Sequence, residues 1–331
     1  MRDLPEGITE RDVARALADG WDLAAWTLEY APVGGGSYHW AAAGGAPGER
    51  RFVTVDDLDD KGWLGRTRPA VLAGLRAAMD AAVTLRRQDG LGFVVAPVPA
   101  GTGETVLPVG GRHAVAVFPF LAGTPFHWGE PLPAPERAEL IAMLAALHQA
   151  DPAAVRLPRT GPGLSWRGDL ETALDELGRP WAGGPYSEPA RELLAGAART
   201  VRRQLEALDR WSARLAAAPV VITHGEPHPG NVIHSGDGLL LIDWDTVGLA
   251  PPERDLWMVA TESGDEARRY TELTGRPVDP AVLEFYRLRW ALDDLSCFIR
   301  DLRAPHRRTP GTEDSWRSLK VTLTDLADLA R

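Results

Sequence analysis

The distribution of hydrophobic residues changes near residue 120, and this change constrains the fold more than any other feature of the sequence. Before it, short strand-like runs separated by glycine-rich turns occupy residues 28–33, 38–42, 51–56, 93–98 and 113–118. The alanine-rich segment 69–87 interrupts them; its first residue is proline, which is typical of the first turn of a helix. After the change, leucines recur at helical spacing, as at Leu140, Leu144 and Leu147.

These patterns predict an α+β fold. The strand-like runs and their turns are typical of an antiparallel meander. At 331 residues the chain exceeds the usual span of one compact domain. We therefore expect two lobes, residues 1–120 and 121–331, joined by a hinge at about 118–128.

The composition excludes several classes of function. The chain has 36 basic and 46 acidic residues, and its net charge of −10 argues against nucleic acid as a partner. Its single cysteine, Cys297, excludes an intramolecular disulfide and a cysteine-built metal cage. No signal segment and no long apolar run is visible, so we expect a cytoplasmic protein without membrane contact.

The densest cluster of polar residues is His-Gly-Glu-Pro-His-Pro-Gly-Asn at 224–231, followed by Ile-Asp-Trp-Asp at 242–245. Strand-like residues and a glycine-containing turn lie between the two parts, which predicts a β-hairpin. The hairpin would direct oxygen atoms of Asn231 and Asp243 towards one hard cation, with the Glu226 carboxylate nearby. Mg²⁺ takes few protein oxygens together with phosphate oxygens, so this cluster suits phosphoryl transfer.

Lysine is almost absent from this chain. Lys61 and Lys320 are the only two lysines, and the other 34 basic residues are arginines. Neither lysine stands in a Gly-Lys-Ser/Thr sequence, so a Walker A phosphate loop is excluded.

The order His224-x-Glu226-x-x-x-x-Asn231, then Asp243, then Asp255-Leu256, resembles the catalytic and metal-binding segments of the aminoglycoside phosphotransferases and related small-molecule kinases. In that family the pattern is His-x-Asp-x-x-x-x-Asn, an aspartate at a strand end and a later Asp-Leu pair. The resemblance implies a two-lobe fold like that of protein kinases. Residues 1–120 would bind the nucleotide, and 121–331 would carry the catalytic loop and the acceptor site.

The resemblance also implies a role for each matching residue. Asn231 and Asp243 would bind Mg²⁺, and Glu226 would orient or deprotonate the acceptor hydroxyl. His224 would brace the catalytic loop, and Asp255 would support it from beneath. The residues expected to contact the nucleotide, ATP or GTP, in the glycine loop, the third strand and the hinge are Gly34, Gly35, Gly36, Ser37, Val53, Phe118 and Phe120.

The third strand departs from the family pattern. Thr54 stands where the family has its phosphate-binding lysine, and helix 69–87 contains no glutamate that could pair with such a lysine. Lys61, Arg50 and Arg51 are candidates to replace the lysine, and we predict Lys61 among the nucleotide contacts.

The catalytic segment departs from the family pattern at Glu226, and it contains a second acidic residue, Asp245, for which there are two interpretations. Glu226 replaces the usual aspartate, and its additional methylene moves the carboxylate by more than an ångström. A displacement of that size can cost about a hundredfold in rate unless the loop compensates. Asp245 would be either a second metal contact or a turn cap.

The acceptor is predicted from charge. Residues 121–331 contain 31 acidic and 24 basic residues, which suits a polycationic antibiotic, and Asp293 and Asp294 are the candidate acceptor contacts. We therefore predict a kinase, monomeric or homodimeric, that confers resistance by phosphorylating a hydroxyl of a small-molecule antibiotic. Two alternatives remain open: a metabolic or biosynthetic kinase of a sugar or amino alcohol, and a nucleotide-binding protein without transferase activity, suggested by Thr54 and Glu226.

Overall fold

The computed structural model describes residues 3–46, 48–261 and 263–329. The α-helices in chain order are α1 (Glu10–Trp21), α2 (Arg68–Arg87), α3 (Ala134–Gln149), α4 (Arg167–Asp175), α5 (Ser187–Leu215), α6 (Glu253–Leu256), α7 (Asp265–Thr274), α8 (Pro280–Arg303) and α9 (Pro310–Asp328). The strands are β1 (Thr27–Ala31), β2 (Tyr38–Ala43), β3 (Arg50–Asp57), β4 (Leu107–Val109), β5 (His113–Pro119), β6 (Thr124–Pro125), β7 (Val221–Thr223), β8 (Val232–Ser235), β9 (Gly238–Leu241) and β10 (Gly248–Ala250).

The chain forms two compact units. The first comprises Asp3–Thr160 and Pro219–Val278 and contains β1 to β10; the second comprises Gly161–Ala218 and Asp279–Arg331 and contains α4, α5, α8 and α9. This combination confirms the predicted α+β class. The division differs from the expected lobes, 1–120 and 121–331, which remain a prediction.

The first unit contains a five-stranded antiparallel sheet with the strand order β1-β2-β3-β5-β4. The predicted meander is confirmed, since β2 pairs with both β1 and β3. His39 of β2 lies opposite Thr54 of β3, and Thr54 lies opposite Ala116 of β5. Side chains alternate between the faces of a sheet, so Thr54 and its neighbour Val53 lie on opposite faces.

Helices cover both faces of this sheet. On one face, Val13 and Leu17 of α1 share a hydrophobic core with Trp40 and Val53. On the other face, α2 packs against β5 in a second core that contains Leu75 and Ala116. Burying one large aliphatic side chain contributes roughly 1.5–3 kcal/mol, so α1 holds β3 from one face and α2 holds the neighbouring strand β5 from the other.

Helix α1 is missing from the sequence prediction. Its signal was present, because Thr9 and Asp12 form a reciprocal capping box and Val13 and Leu17 are four residues apart. The charged residues among them obscured the pattern.

The expected strand at 93–98 is a wrong prediction. Only Val94 makes a strand-like bridge, to Leu241, and the remainder has no regular structure. Pro97 has no N–H group to donate to a ladder, which opposes a paired strand at this point.

The second unit is helical, as its leucine spacing predicts. Leu288, Leu292 and Leu295 lie on one buried face of α8, and Leu319 and Leu326 lie on a buried face of α9. Within the ranges that the structure describes, no helix is both long enough and apolar enough to cross a membrane.

Candidate active site

The predicted hairpin is present and aligns the two candidate metal ligands. β8 and β9 are antiparallel, with Val232 opposite Leu241 and a tight turn between Ser235 and Gly238. Asn231 immediately precedes β8, and Asp243 follows β9. The Ile242 N–H donates to the Asn231 carbonyl oxygen at 3.0 Å, so both residues lie at the open end of the same hairpin.

His224 is buried at the start of residues 224–231, the predicted catalytic loop, and its two ring nitrogens make hydrogen bonds that fix this loop. Its Nε2 lies 2.9 Å from the Ile242 carbonyl oxygen, and its Nδ1 lies 3.2 Å from the backbone nitrogen of Glu226. Burial is the main cause that lowers the pKa of His224 to about 4. The ring is therefore neutral at pH 7, with Nε2–H donating and Nδ1 accepting.

Asp255 lies beneath the same loop and accepts two backbone hydrogen bonds from it. The N–H groups of His224 and Gly225 donate to its two carboxylate oxygens at 2.8 and 2.7 Å. His148 Nε2 lies 3.0 Å from Asp255 Oδ2, and His148 Nδ1 lies 2.9 Å from the Tyr270 hydroxyl. Burial alone would raise the pKa of Asp255, but the hydrogen bond and charge of His148 outweigh it and lower the pKa. The loop is thus held by an ionised, fully buried carboxylate.

Gly225→Ala is expected to destabilise the protein by about 3 kcal/mol and to reduce turnover. Gly225 has a φ of +103°, and a Cβ atom there would lie 2.5 Å from Arg254 Nη2. Arg254 has little freedom to retreat, because it donates to the Thr223 hydroxyl at 2.8 Å and to the Thr246 carbonyl at 2.9 Å. Urea denaturation measures the change.

Gly196→Ala is the matched control for this substitution. Gly196 is exposed on α5, and a Cβ atom there would meet no other atom within 4 Å. Alanine in a helix interior is expected to be neutral or stabilising. An unfolding midpoint for Gly225→Ala equal to that of wild type would contradict the close approach of Arg254.

Glu226 and Asn231 are tied to each other. The Asn231 side-chain Nδ2 donates to the Glu226 backbone carbonyl at 2.9 Å, which leaves Asn231 Oδ1 on the other side of the planar amide. Asn231 is buried, whereas the Glu226 side chain is partly exposed. This arrangement suits a ligand oxygen at Asn231 beside an accessible carboxylate at Glu226.

Asp243 has a left-handed backbone conformation, with a φ of +66°. Non-glycine residues adopt this region rarely, and such conformations concentrate at functional sites. Part of its side chain is open to solvent, yet the protein packed around the carboxylate, and then the negative charges of Asp245 and Glu226, raise its pKa well above the usual range. A positive charge bound at Asp243 would relieve this repulsion.

Asn231 and Asp243 fit a magnesium ion better than a metal that needs a full set of protein ligands. Across the described ranges, no group of three or more His, Cys, Asp or Glu side chains is arranged to hold a metal. Mg²⁺ is usually bound through one or two protein oxygens plus waters and phosphates. The excess of negative charge around Asp243 favours a divalent cation there.

Lys61 lies at the centre of a buried polar cluster. Its Nζ atom is 2.5 Å from Asp245 Oδ2, 3.0 Å from Asp56 Oδ1 and 3.1 Å from Ser37 Oγ. Asp245 lies in a short 3₁₀ turn, Trp244–Thr246, and its Oδ2 is bound to Lys61. Asp245 is the ion-pair partner of Lys61, and its two expected roles, metal contact or turn cap, remain predictions.

The glycine loop lies between β1 and β2, as expected from the sequence. Gly34 and Gly36 have φ values of +66° and +78°, which favour glycine. A Cβ atom at Gly35 or Gly36 would meet no other atom within 4 Å, so this part of the loop is open. Ser37, at its end, is buried and donates to Asp56 Oδ1 at 2.6 Å.

The expected nucleotide contact at Val53 needs correction. Val53 is fully buried in the core against α1, on the face of β3 opposite to Thr54, so its side chain cannot form a wall for a base. Phe118 lies opposite Phe52 at the end of β5 and is partly exposed. Phe120 follows β5, and its ring lies 3.6 Å below the Arg50 guanidinium.

The other positions considered for the missing lysine are engaged elsewhere. Arg50 stacks on Phe120, and Arg51 binds Glu49 at 2.9 Å. Thr54 Oγ1 lies 3.4 Å from His39 Nδ1 on the neighbouring strand.

Asp293 and Asp294 lie on α8 in the second unit. Asp293 accepts hydrogen bonds from the backbone N–H and the hydroxyl of Ser165, at 2.7 and 3.2 Å. Burial, and then the negative charge of Asp293, raises the pKa of Asp294 to about 7. Their role as acceptor contacts remains a prediction.

Asp294→Asn is expected to stabilise the protein at pH 8 and to have little effect at pH 4. An unfolded aspartate ionises near pH 4, so the folded protein holds an extra proton at Asp294 between about pH 4 and 7. The wild type therefore loses stability as the pH rises through this interval, whereas asparagine does not titrate. Chemical denaturation at both pH values measures this, with the exposed Asp175→Asn as the control. An equal effect of Asp294→Asn at both pH values would contradict the raised pKa of this carboxyl.

Sequence reasoning missed three residues of the site. Asp56, His148 and Arg254 are buried and contact Lys61, Asp255 and the catalytic loop, respectively. Asp56 had a visible signal, because it begins an acidic run at the end of a strand. His148 is 107 residues from its partner Asp255, and no local pattern indicates that pair.

Comparison with known proteins extends over most of the chain. Residues 41–296 match the phosphotransferase enzyme family. Protein StrN of Streptomyces griseus is 31% identical over 255 residues, which cover 71% of this chain and 73% of StrN. A thiamine kinase of Escherichia coli is 32% identical over 158 residues, so the match spans only 47% of this chain and 49% of that kinase.

The fold is similar to that of a solved spectinomycin phosphotransferase, APH(9)-Ia, in complex with ADP and spectinomycin. The TM-score is 0.74, with 15% sequence identity, over 98% of this chain and 99% of the other. At this identity the similarity shows the fold alone. The family match, in contrast, includes the whole segment from His224 to Asp255.

Proposed function

The chain belongs to the phosphotransferase enzyme family, and on this premise we propose that it transfers the terminal phosphate of ATP or GTP to a hydroxyl group of an antibiotic. Family membership confirms the resemblance and makes the protein an enzyme that phosphorylates hydroxyl groups of small molecules. The antibiotic as acceptor, and resistance as the result of its inactivation, are the further steps of the proposal.

One observation carries the proposal: the β8–β9 hairpin places Asn231 beside Asp243, and Asn231 is bonded to Glu226. The two links are the hydrogen bonds from Ile242 N–H to the Asn231 carbonyl at 3.0 Å and from Asn231 Nδ2 to the Glu226 carbonyl at 2.9 Å. These links support the proposal that two oxygen ligands and a carboxylate act together at this end of the hairpin. Phosphoryl transfer depends mainly on such positioning and on charge neutralisation.

In the proposed mechanism Glu226 accepts a hydrogen bond from the acceptor hydroxyl and aligns it with the terminal phosphorus. The hydroxyl oxygen forms a bond to phosphorus as the bond to the bridging oxygen of the nucleotide breaks, and the proton passes to Glu226 late in the step. Asn231 and Asp243 would hold Mg²⁺, which neutralises charge on the phosphates when bound. The products are the phosphorylated acceptor and the nucleoside diphosphate.

The supporting residues act through the loop. Three hydrogen bonds of 2.7–3.2 Å from Asp255 and His224 hold its backbone, and a fourth, of 2.9 Å, joins the His224 ring to the Ile242 carbonyl. The Glu226 backbone therefore needs no rearrangement during the reaction. We propose that Gly34, Gly35, Gly36 and Ser37 cover the phosphates, and that Phe118 and Phe120 contact the base.

The similarity to spectinomycin phosphotransferase along 98% of the chain favours an antibiotic acceptor, with Asp293 and Asp294 as proposed contacts. The similarity to thiamine kinase favours the alternative, a metabolic kinase of an alcohol. In either case we propose a cytoplasmic enzyme, because ATP is available there, with a nucleotide and a small hydroxyl compound as its partners. For the oligomeric state we propose either a monomer or a homodimer.

The test is product analysis with two matched panels. The protein is incubated with Mg²⁺ and either ATP or GTP, together with aminocyclitol, aminoglycoside, nucleoside or peptide antibiotics, or with thiamine, choline and amino alcohols. Mass spectrometry detects the addition of one phosphate. Phosphate on an antibiotic supports the proposal, phosphate on a metabolite supports the alternative, and nucleotide binding without any product supports a protein without transferase activity.

A further inference from the structure

Lys61 is completely buried, and it contacts more carboxylates than a structural lysine needs to neutralise its charge. Its side chain is 1% exposed, and two carboxylates and a hydroxyl surround its Nζ atom. Burial alone would lower the pKa of Lys61, but Asp245, Asp56 and Asp243 together raise it, so the ammonium is charged at pH 7. One carboxylate would neutralise this charge, yet the protein supplies two.

The three partners of Lys61 come from the glycine loop, from β3 and from the segment that carries the proposed metal ligand Asp243. Ser37 ends the glycine loop, Asp56 lies at the end of β3, and Asp245 is two residues beyond Asp243. Lys61 Nζ is therefore 3.1 Å from the loop proposed to cover the phosphates and 2.5 Å from the aspartate next to the proposed metal ligand. Phosphate oxygens held under this loop would lie close to the ammonium.

Among the residues near β3 that the structure describes, no other cation takes this place. Arg50 stacks on Phe120 and Arg51 binds Glu49. His39, opposite Thr54, is neutral because burial lowers its pKa to about 3. The one acid of α2, Asp80, accepts a hydrogen bond from Thr105 at 2.7 Å and is exposed, so it does not replace the missing glutamate.

We propose that Lys61 is the phosphate-binding lysine of this enzyme, supplied by the loop after β3 and oriented by Asp56 and Asp245 in place of a helix glutamate. The inference rests on the proposed function. On nucleotide binding, Lys61 exchanges its hydrogen bond to Ser37 for one to a phosphate oxygen and keeps both carboxylates. Ser37 retains its own hydrogen bond to Asp56 at 2.6 Å, so the exchange leaves no buried group without a partner.

The small number of lysines gives a direct test on the wild-type protein. The probe is ATP, or GTP if the product assay prefers it, that carries an acyl group on its terminal phosphate. The Lys61 ammonium gives one proton to the adjacent Asp245 carboxylate, and its nitrogen bonds to the acyl carbon as the bond from that carbon to the phosphate oxygen breaks. The nucleotide leaves, the second proton passes to solvent, and mass spectrometry locates the resulting amide. We expect the acyl group on Lys61 and its loss when excess unmodified nucleotide is present. Lys320, exposed on α9, is the internal control and should react weakly and independently of nucleotide.

A second test separates phosphate binding from a structural role. Lys61→Met is expected to weaken binding of the nucleoside diphosphate by about 10- to 100-fold, the range of a hydrogen bond between charged groups. Binding of the nucleoside without phosphates should change by less than about threefold, since the base and ribose do not depend on Lys61. Lys320→Met should change neither. Circular dichroism establishes that each variant is folded.

The outcomes are distinguishable from failure of the proposed function. If wild type binds the Mg²⁺–nucleotide complex but Lys61 remains unlabelled, or if Lys61→Met weakens nucleoside and diphosphate equally, the inference on Lys61 is wrong and the function stands. If wild type binds neither ATP nor GTP, both are wrong. Should Lys61→Met not fold, the labelling of wild type decides alone.

Discussion

Asp243→Asn is expected to reduce turnover by about a thousandfold or more and, at the same time, to leave the thermal stability of the nucleotide-free protein unchanged or higher. The carboxylate is the proposed charged ligand of Mg²⁺, and an amide replaces it poorly. Protein packed around Asp243, and then Asp245 and Glu226, raises the pKa of this side chain, so its charge costs stability in the absence of a cation. Asparagine tolerates the φ of +66° as well as aspartate does, which separates the loss of charge from backbone strain.

The measurement combines turnover at saturating nucleotide and acceptor with a thermal melt in the absence of nucleotide. Asp237→Asn is the matched control, because Asp237 is exposed in the turn at the other end of the same hairpin. It should alter neither value. A turnover of Asp243→Asn within tenfold of wild type would remove Asp243 from the proposed metal site.

Glu226→Gln is expected to lower turnover by about a hundredfold to ten-thousandfold, the usual contribution of a positioned general base. The amide keeps the size of the side chain but cannot accept the proton of the hydroxyl. The backbone of Glu226 should stay in place, because its N–H group donates to His224 Nδ1 at 3.2 Å and its carbonyl accepts from Asn231. The KM for nucleotide should change little, since Glu226 acts on the acceptor.

Glu226→Asp completes this comparison. It restores the residue type that the family pattern has, but withdraws the carboxylate by about one C–C bond, roughly 1.5 Å. If the loop is shaped for glutamate, aspartate will be slower than wild type and faster than glutamine. Glu206→Gln, exposed on α5, is the control for loss of a carboxylate. Wild-type rates in Glu226→Gln would show that this side chain takes no part in the reaction.

The parts of the fold that could be predicted depend on signals close together in the sequence. The hairpin is an example, because two apolar runs and the turn between them lie within ten residues, and its strands begin and end almost where the sequence indicated. Segment 69–87 is another; the proline at its start and the alanines within it predict α2 to within one residue. Asn231 and Asp243 were brought together for the same reason.

The wrong and missing predictions have one physical origin. A sequence does not show which residues, far apart in the chain, contact each other in the fold. Val53 lies in the correct strand but on the wrong face, and a strand with apolar residues on both faces gives no indication of which one is covered. Lys61 and Asp245 are 184 residues apart, so no local pattern reveals their ion pair. The sequence could mark Lys61 as a candidate, but only the packed strands show what surrounds it.

The contact between Gly225 and Arg254 links two positions that are far apart in the chain. The guanidinium fills the volume that a side chain at 225 would need, so neither position can change by itself without a steric or packing penalty. Positions 225 and 254 are therefore expected to covary among family members. Family members with a larger residue at the position of Gly225 are expected to have a smaller one at that of Arg254. Replacing both together should remove the steric part of the cost of Gly225→Ala, whereas the strain of the φ of +103° and the loss of the Arg254 hydrogen bonds remain.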